Sequence, residues 1–194
     1  MGGACSVQTL TSEGIHDSAF DGDIAGVKYW LKKGKTVNDL DERSDRPLHL
    51  AALNGKTEVV KFLLSNGAEV DALGRNKKSA ISLAIIDGHV EVVDVLIKAG
   101  ARLNGVDNQE NTPLHVAAAS GYHRIVTQLL EAGALPNVFN KLSLSPVLLA
   151  AERGFVSCVE ALIKGGADPT KGPPDGSPAP AIVVKEPKIK EIFR

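Results

Sequence analysis

The segment TPLHVAAASGYHRIVTQLLEAGALPN, residues 112–137, decides the fold of this chain. Its apolar residues recur at helical spacing on both sides of Gly121, which predicts two short amphipathic helices. Thr112 stands where a hydroxyl group caps a helix, and Pro113 takes the first helical position, where its missing N–H costs nothing. Gly121 is expected to end the first helix and Gly133 the second. The segment therefore predicts a unit of helix, turn, helix and loop.

The same pattern recurs along the chain at one constant interval, without an insertion. Two columns of glycine follow this period: Gly22, Gly55, Gly88, Gly121 and Gly154, and Gly34, Gly67, Gly100, Gly133 and Gly166. A valine column keeps the same register: Val27, Val60, Val93, Val126 and Val159. Because one such unit cannot bury its apolar face alone, neighbouring units have to stack. The sequence predicts an all-α solenoid.

Units such as residues 112–137 closely resemble the ankyrin repeat, whose length and T-P-L-H-x-A signature match the period and the letters found here. The resemblance covers residues 8–172 and implies an all-α ankyrin-repeat solenoid of stacked helix-turn-helix units with hairpin loops. Its five units are 8–40, 41–73, 74–106, 107–139 and 140–172. The family's hairpin glycine is replaced here, so the loops are expected to be tighter or differently aimed; the residues at this position are Ser44, Lys77, Glu110 and Ser143.

The two ends of the chain fall outside these units. Residues 1–7 are expected to be a flexible, acylated N-terminus. Residues 173–194 either form a degenerate capping unit or a free tail. The capping interpretation places a shortened first helix at 181–184 and begins a second helix at Pro187, with Ile189 on its apolar face.

Composition excludes several classes of protein. There are 22 Lys and Arg against 23 Asp and Glu, a formal net charge of −1, so the basic footprint of a nucleic-acid-binding protein is missing. Two cysteines, Cys5 and Cys158, are too few for a secreted disulfide framework. No apolar run is long enough for a membrane-spanning helix. These observations favour a cytoplasmic location.

No pattern of residues indicates an enzyme, and no metal, cofactor or small-molecule substrate is expected. His16, His49 and His115 share one column, and the resemblance implies that each imidazole bonds within its repeat and to neighbouring backbone. Cys158 falls in an apolar column and is expected to be a small buried hydrophobe. Zinc-ligand, phosphate-loop and dinucleotide motifs are absent from the sequence.

The N-terminus carries the one motif outside the repeat. Residues 1–6, MGGACS, match M-G-x-x-x-[ST], in which removal of methionine exposes Gly2 for a myristoyl chain. One such chain binds membranes only marginally, at about 10⁴ M⁻¹, so Cys5 is a candidate for a second anchor by palmitoylation. There is no polybasic patch nearby, which gives Cys5 more weight. A cloning scar or an unmodified start rich in small residues would give the same letters.

A protein partner is expected on the hairpin tips and on the exposed side of the first helices. The hairpin candidates are Arg43, Asp45, Arg75, Asn76, Lys78, Asn108, Gln109 and Asn111. The candidates on the first helices are Phe20, Leu53, Asn54, Ile86, Asp87, Ala119 and Ser120. Phe20, Leu53, Ile86 and Ala119 form an apolar column, which either contacts a partner or packs against the hairpins.

The resulting hypothesis is a protein-protein interaction adaptor or scaffold, tethered to the cytosolic face of a membrane by N-terminal acylation. The alternative is a soluble inhibitor or regulatory subunit that masks an enzyme or a transcription factor. The sequence does not identify the partner, because one scaffold of this kind serves unrelated partners.

Overall fold

A computed structural model describes residues 14–174, 176 and 185–193. Over these residues the chain is helical, and its only extended pairing is an isolated bridge between Leu73 and Ser79. The helices are α1 Ile15–Asp21, α2 Ile24–Lys32, α3 Pro47–Leu53, α4 Thr57–Ser65, α5 Ala80–Ile86, α6 Val90–Lys98, α7 Pro113–Ser120, α8 His123–Glu131, α9 Pro146–Glu152, α10 Val156–Lys164 and α11 Pro187–Ile192. The predicted all-α architecture is confirmed for these residues.

Helices α1 to α10 pair in chain order into five helix-turn-helix units. Each pair is joined at a glycine with a left-handed backbone, for example Gly121 with φ 78°. At the start of α7, the Thr112 side chain accepts a hydrogen bond from the backbone N–H of His115, as the sequence predicts. At the start of α9 the corresponding Ser145 makes no such bond, and its buried hydroxyl has no partner among the described residues.

The units stack in two layers. The first helices α1, α3, α5, α7 and α9 pack on one another in order, and the second helices α2, α4, α6, α8 and α10 form the other layer. The core between them is made of aliphatic side chains, and the valine column is fully buried. Paired alanines such as Ala117 and Ala118 are also fully buried, so the first helices approach closely.

The hairpin loops keep a left-handed residue although the family's glycine is missing. Ser44, Glu110 and Ser143 have φ between 58° and 67°. The expected departure is found at one of the described loops, where Asn76 and Lys77 both have positive φ inside a short 3₁₀ turn, Arg75–Lys77.

The departure at this loop has a local cause. In the other loops a side-chain oxygen accepts two backbone N–H groups, as Asp107 Oδ1 does from Gln109 and Asn111 at 2.8 and 2.9 Å. Asp41 and Asn140 do the same in their loops. The position one period after Asp41 is Gly74, which has no side-chain oxygen to close the loop.

The C-terminal helix α11 packs against α10. Ile189 is fully buried there, and Lys188 Nζ lies 2.7 Å from Glu160 Oε1. The helix begins at Pro187, where the capping interpretation places it. The rest of that interpretation, a first helix at 181–184, lies outside the described residues, as do Gly2 and Cys5. No helix among the described residues is long and apolar enough to cross a bilayer.

Candidate protein-interaction surface

Buried histidines fix the hairpins onto the first helices. His115 Nε2 donates to the backbone oxygen of Leu144 at 3.1 Å, and its Nδ1 accepts the backbone N–H of Thr112 at 3.1 Å. His49 does the same with Ala72 at 3.0 Å and Arg46 at 3.1 Å. Each imidazole therefore ties its own helix start to the following loop, as the resemblance implies. The bonds require a neutral ring, which donates at one nitrogen and accepts at the other.

Adjacent hairpins are also joined to one another directly. The backbone N–H of Asn108 donates to the backbone oxygen of Asn76 at 3.1 Å. The backbone N–H of Lys141 donates to the oxygen of Gln109 at 3.0 Å, and Asn140 Nδ2 donates to Asn111 Oδ1 at 2.8 Å. The three hairpins after units two, three and four consequently form one hydrogen-bonded edge.

A groove of about 360 Å³ lies between this edge and the first helices of units three to five. Six of the predicted contact residues line it: Lys78, Ile86, Gln109, Asn111, Ala119 and Ser120. Leu142 and Arg153 complete its far end. Leu142 is 71% exposed, which is high for a leucine, so the groove joins a free apolar side chain to a polar rim.

Models of the ankyrin-repeat family match this chain over most of its length. A model of three ankyrin repeats matches residues 15–107 and again 48–140, and a model of a single ankyrin repeat matches residues 144–171. The chain belongs to the ankyrin-repeat family. Ankyrin repeats mediate protein-protein interaction, and proteins built from them are typically non-enzymatic. A search of curated proteins gave no significant match.

The other predicted contact residues lie outside the groove of this ankyrin protein. Arg43, Arg75, Asn76 and Asn108 are exposed on the hairpins, and Asp87 is exposed at the end of α5. They remain available to a partner that extends beyond the groove.

Asp45 differs from the expectation of an accessible hairpin tip. Asp45 is only 8% exposed, and its Oδ1 accepts a hydrogen bond from the backbone N–H of Arg75 in the next ankyrin unit at 3.0 Å. The carboxylate supports the loop that lacks an oxygen at Gly74. Asp45 therefore has a structural role between units two and three, and it is not part of the proposed contact surface.

The apolar column on the first helices divides between surface and packing. Phe20 is 41% exposed, while Leu53, Ile86 and Ala119 are half-buried. Asn54 Nδ2 donates to the Phe20 backbone oxygen at 2.7 Å, so this predicted contact residue also joins units one and two. Of the column, Ile86 and Ala119 reach the groove, and Phe20 and Leu53 lie beyond its lining.

A second apolar column, which is not among the predicted contact residues, lies at the base of the hairpins. Leu40, Leu73 and Val106 stand one period apart at the base of successive hairpins and are 57%, 50% and 41% exposed. Leu73 and Val106 line a cavity of about 180 Å³ that adjoins Ser82 on α5. Their spacing by one repeat period is a signal that is visible in the sequence.

Neither a reactive thiol nor a metal-binding cluster is found within the described ranges. Burial raises the pKa of Cys158 to about 11, so its thiol stays protonated and unreactive. Burial lowers the pKa of His115 to about 4 and also lowers that of His49, which keeps both rings neutral. No group of three His, Cys, Asp or Glu residues in this part of the chain can hold a metal ion.

Proposed function

We propose that this ankyrin protein is an adaptor that binds a protein partner in the groove of units three to five and is tethered to the cytosolic face of a membrane. The observation that carries the first half is the exposed Leu142 in a groove that Ile86 also lines and whose edge is held by inter-hairpin hydrogen bonds. Such an edge is already ordered, so a partner binds without much backbone movement.

The chemistry of the groove describes its partner. Leu142 and Ile86 offer apolar contact area, and Lys78 and Arg153 place two cations at the rim. Asp107, the carboxylate at this site, is occupied in closing its own loop. The fitting partner is a protein segment with an apolar anchor side chain flanked by acidic groups.

A matched pair of variants tests this proposal. Leu142→Glu places a charge in the groove, whereas Leu135→Glu makes the same change at a 54% exposed leucine outside it. In a proximity-labelling comparison in cells, we expect Leu142→Glu to lose labelled proteins that Leu135→Glu retains. Those proteins, once purified, should bind wild type and Leu135→Glu alike. Identical protein sets for the two variants would overturn the groove as the binding site.

The membrane tether is supported by the sequence MGGACS at residues 1–6. We expect Gly2→Ala to lower the membrane-bound fraction, because no acyl chain can then be attached to the N-terminal amine. Cys5→Ser should also lower it, to what a single myristoyl chain permits. A Gly2→Ala variant with the membrane fraction of the wild type would overturn the tether and favour a soluble regulatory subunit.

A further inference from the structure

The second helix of the first ankyrin unit differs in charge from its four equivalents. Residues 24–35 carry four lysines and no acidic residue, a formal charge of +4. The corresponding segments of the other four units carry formal charges of 0, −1, 0 and 0, with histidine neutral. These segments are 57–68, 90–101, 123–134 and 156–167. This basic charge is local to α2 and its C-terminal end, because the acidic residues of the first unit, Glu13, Asp17, Asp21, Asp23 and Asp39, all lie outside residues 24–35.

These lysines are exposed on α2 and just beyond its C-terminal end. Lys28 and Lys32 are one turn apart on α2, and Lys33 and Lys35 follow its end; all four are exposed. Lys33 Nζ lies 5.5 Å from the ring centre of Tyr29, which is itself 38% exposed. Of the four lysines, and among the described residues, only Lys35 is within ion-pair distance of a carboxylate, that of Asp39 at 4.0 Å.

We propose that this basic face, formed by Lys28, Lys32, Lys33 and Lys35 with Tyr29, docks on an anionic lipid bilayer. The inference rests on the proposed acylation of Gly2, since a single myristoyl chain needs a second signal and a polybasic patch is one that suffices. The interpretation that no polybasic patch lies near the N-terminus is revised by the structure, because Lys28 and Lys32 lie one turn apart on α2 and Lys33 and Lys35 follow its end.

The position of the basic face fits this occupant better than a nucleic acid or an acidic protein. The chain from Gly2 to Gly14, where the first unit begins, spans at most about 43 Å when fully extended. An acyl chain on Gly2 and the basic face are therefore able to contact one bilayer together. An exposed tyrosine among lysines also suits the boundary between lipid headgroups and acyl chains.

Docking through α2 leaves the proposed partner groove accessible. The basic face belongs to the layer of second helices, whereas the groove is lined by first helices and hairpins of units three to five. The same protein is thus able to bind a bilayer through the second helix of unit one and a protein partner through the groove of units three to five.

The test uses the full chain acylated by an N-myristoyltransferase, with intact mass as the check. The vesicles are of neutral phosphatidylcholine alone, or of phosphatidylcholine and anionic phosphatidylserine mixed two to one. Lys32→Gln/Lys33→Gln removes two charges from the basic face. Lys98→Gln/Lys164→Gln removes two exposed charges near the ends of α6 and α10 and is the matched control. Gly2→Ala removes the acyl chain.

We expect Lys32→Gln/Lys33→Gln to reduce partitioning onto the anionic vesicles roughly 25-fold, about fivefold per lysine, and to leave partitioning onto neutral vesicles unchanged. The control variant should stay within about twofold of wild type, and about 0.5 M salt should weaken wild type in the same way as the variant. Equal losses for the two variants would overturn the basic face. So would tighter binding of wild type to a duplex oligonucleotide than to the anionic vesicles.

The two proposals fail in different ways in this experiment. If acylation does not tether the protein, wild type and Gly2→Ala partition equally onto neutral vesicles. If the basic face does not dock, wild type gains no more from phosphatidylserine than Lys32→Gln/Lys33→Gln does, whatever the neutral vesicles show.

Discussion

The histidine at the third position of a first helix is a structural residue whose charge state decides whether its hairpin stays bound. In His115 both ring nitrogens are engaged and the residue has no exposed surface. Protonation would replace the acceptor at Nδ1 by a donor facing the N–H of Thr112. The stability of the fourth unit should therefore depend on pH.

The direction of this dependence follows from the pKa of His115, which burial lowers from 6.5 to about 4. The folded value lies below the unfolded one, so the unfolding free energy is full above about pH 6.5 and falls as pH drops towards 4, by up to about 3 kcal/mol. Denaturant titrations over this range should show the fall, and His115→Gln should flatten it. The exposed His123→Gln is the control. A fall that persists unchanged in His115→Gln would contradict this role.

The left-handed residues of the hairpins carry a cost that glycine would remove. Glu110 is exposed and has φ 60°, a conformation that costs an L-residue roughly 1–2 kcal/mol. We expect Glu110→Gly to raise the unfolding free energy by about 1 kcal/mol, less the entropy that glycine adds to the unfolded chain. The control is Glu42, which is exposed in an earlier hairpin and has no positive φ. Glu42→Gly should lower the unfolding free energy. A loss of stability in both variants would refute the strain.

At the scale of elements, the turn inside each of the first four units is also a contact with the next unit. An ideal Cβ on Gly121 would lie 2.9 Å from the ring of Phe155 in the next unit, and the backbone there has φ 78°. At Gly133, after α8, φ is 95°, but no atom of another residue lies within 4 Å of an ideal Cβ. The first glycine therefore serves both the turn and the stacking, and the second serves the turn alone.

This difference predicts unequal costs for the same substitution. Gly133→Ala should lower the unfolding free energy by about 1 kcal/mol, from backbone strain. Gly121→Ala should lower it by roughly 1–3 kcal/mol more, because Phe155 must also move. Thermal or denaturant unfolding of the two variants measures this. Equal losses would show that the close approach to Phe155 has no energetic consequence.

The sequence alone predicts the helical elements of this protein but not the exposure of every side chain. The helices, their order and their turn glycines follow from the repeat period, because helix ends and apolar faces depend on local residues. The exposure of individual side chains does not follow from the repeat period. Asp45 is buried because its carboxylate binds the loop of the next unit, where Gly74 has no side chain. This burial depends on a neighbouring unit, so the sequence of one unit does not reveal it.

The whole molecule is a stack in which each unit is stabilised by its neighbours. The last described contact of the stack is that of α11 against α10, where Ile189 of α11 is fully buried. Removing it should loosen the end of the stack and leave distant units as they were.

Ile189→Ala tests this expectation. The change should cost roughly 2–5 kcal/mol locally, the usual loss for a buried isoleucine. Hydrogen exchange should then show faster amide exchange in α10 and unchanged exchange in α3 and α4. Lys190→Ala, at an exposed neighbour on the same helix, should change neither. Equal acceleration along the whole chain would show that the molecule unfolds as one unit.

The central claim is that the groove of units three to five holds a protein partner, and photo-crosslinking tests it most directly. A photoreactive residue placed in cells at the position of Leu142 lies in the groove, and one at the position of Leu135 lies outside it with similar exposure. We predict a discrete protein adduct from position 142 that is absent from position 135. Adducts at position 135 alone, or the same adducts at both positions, would contradict the claim.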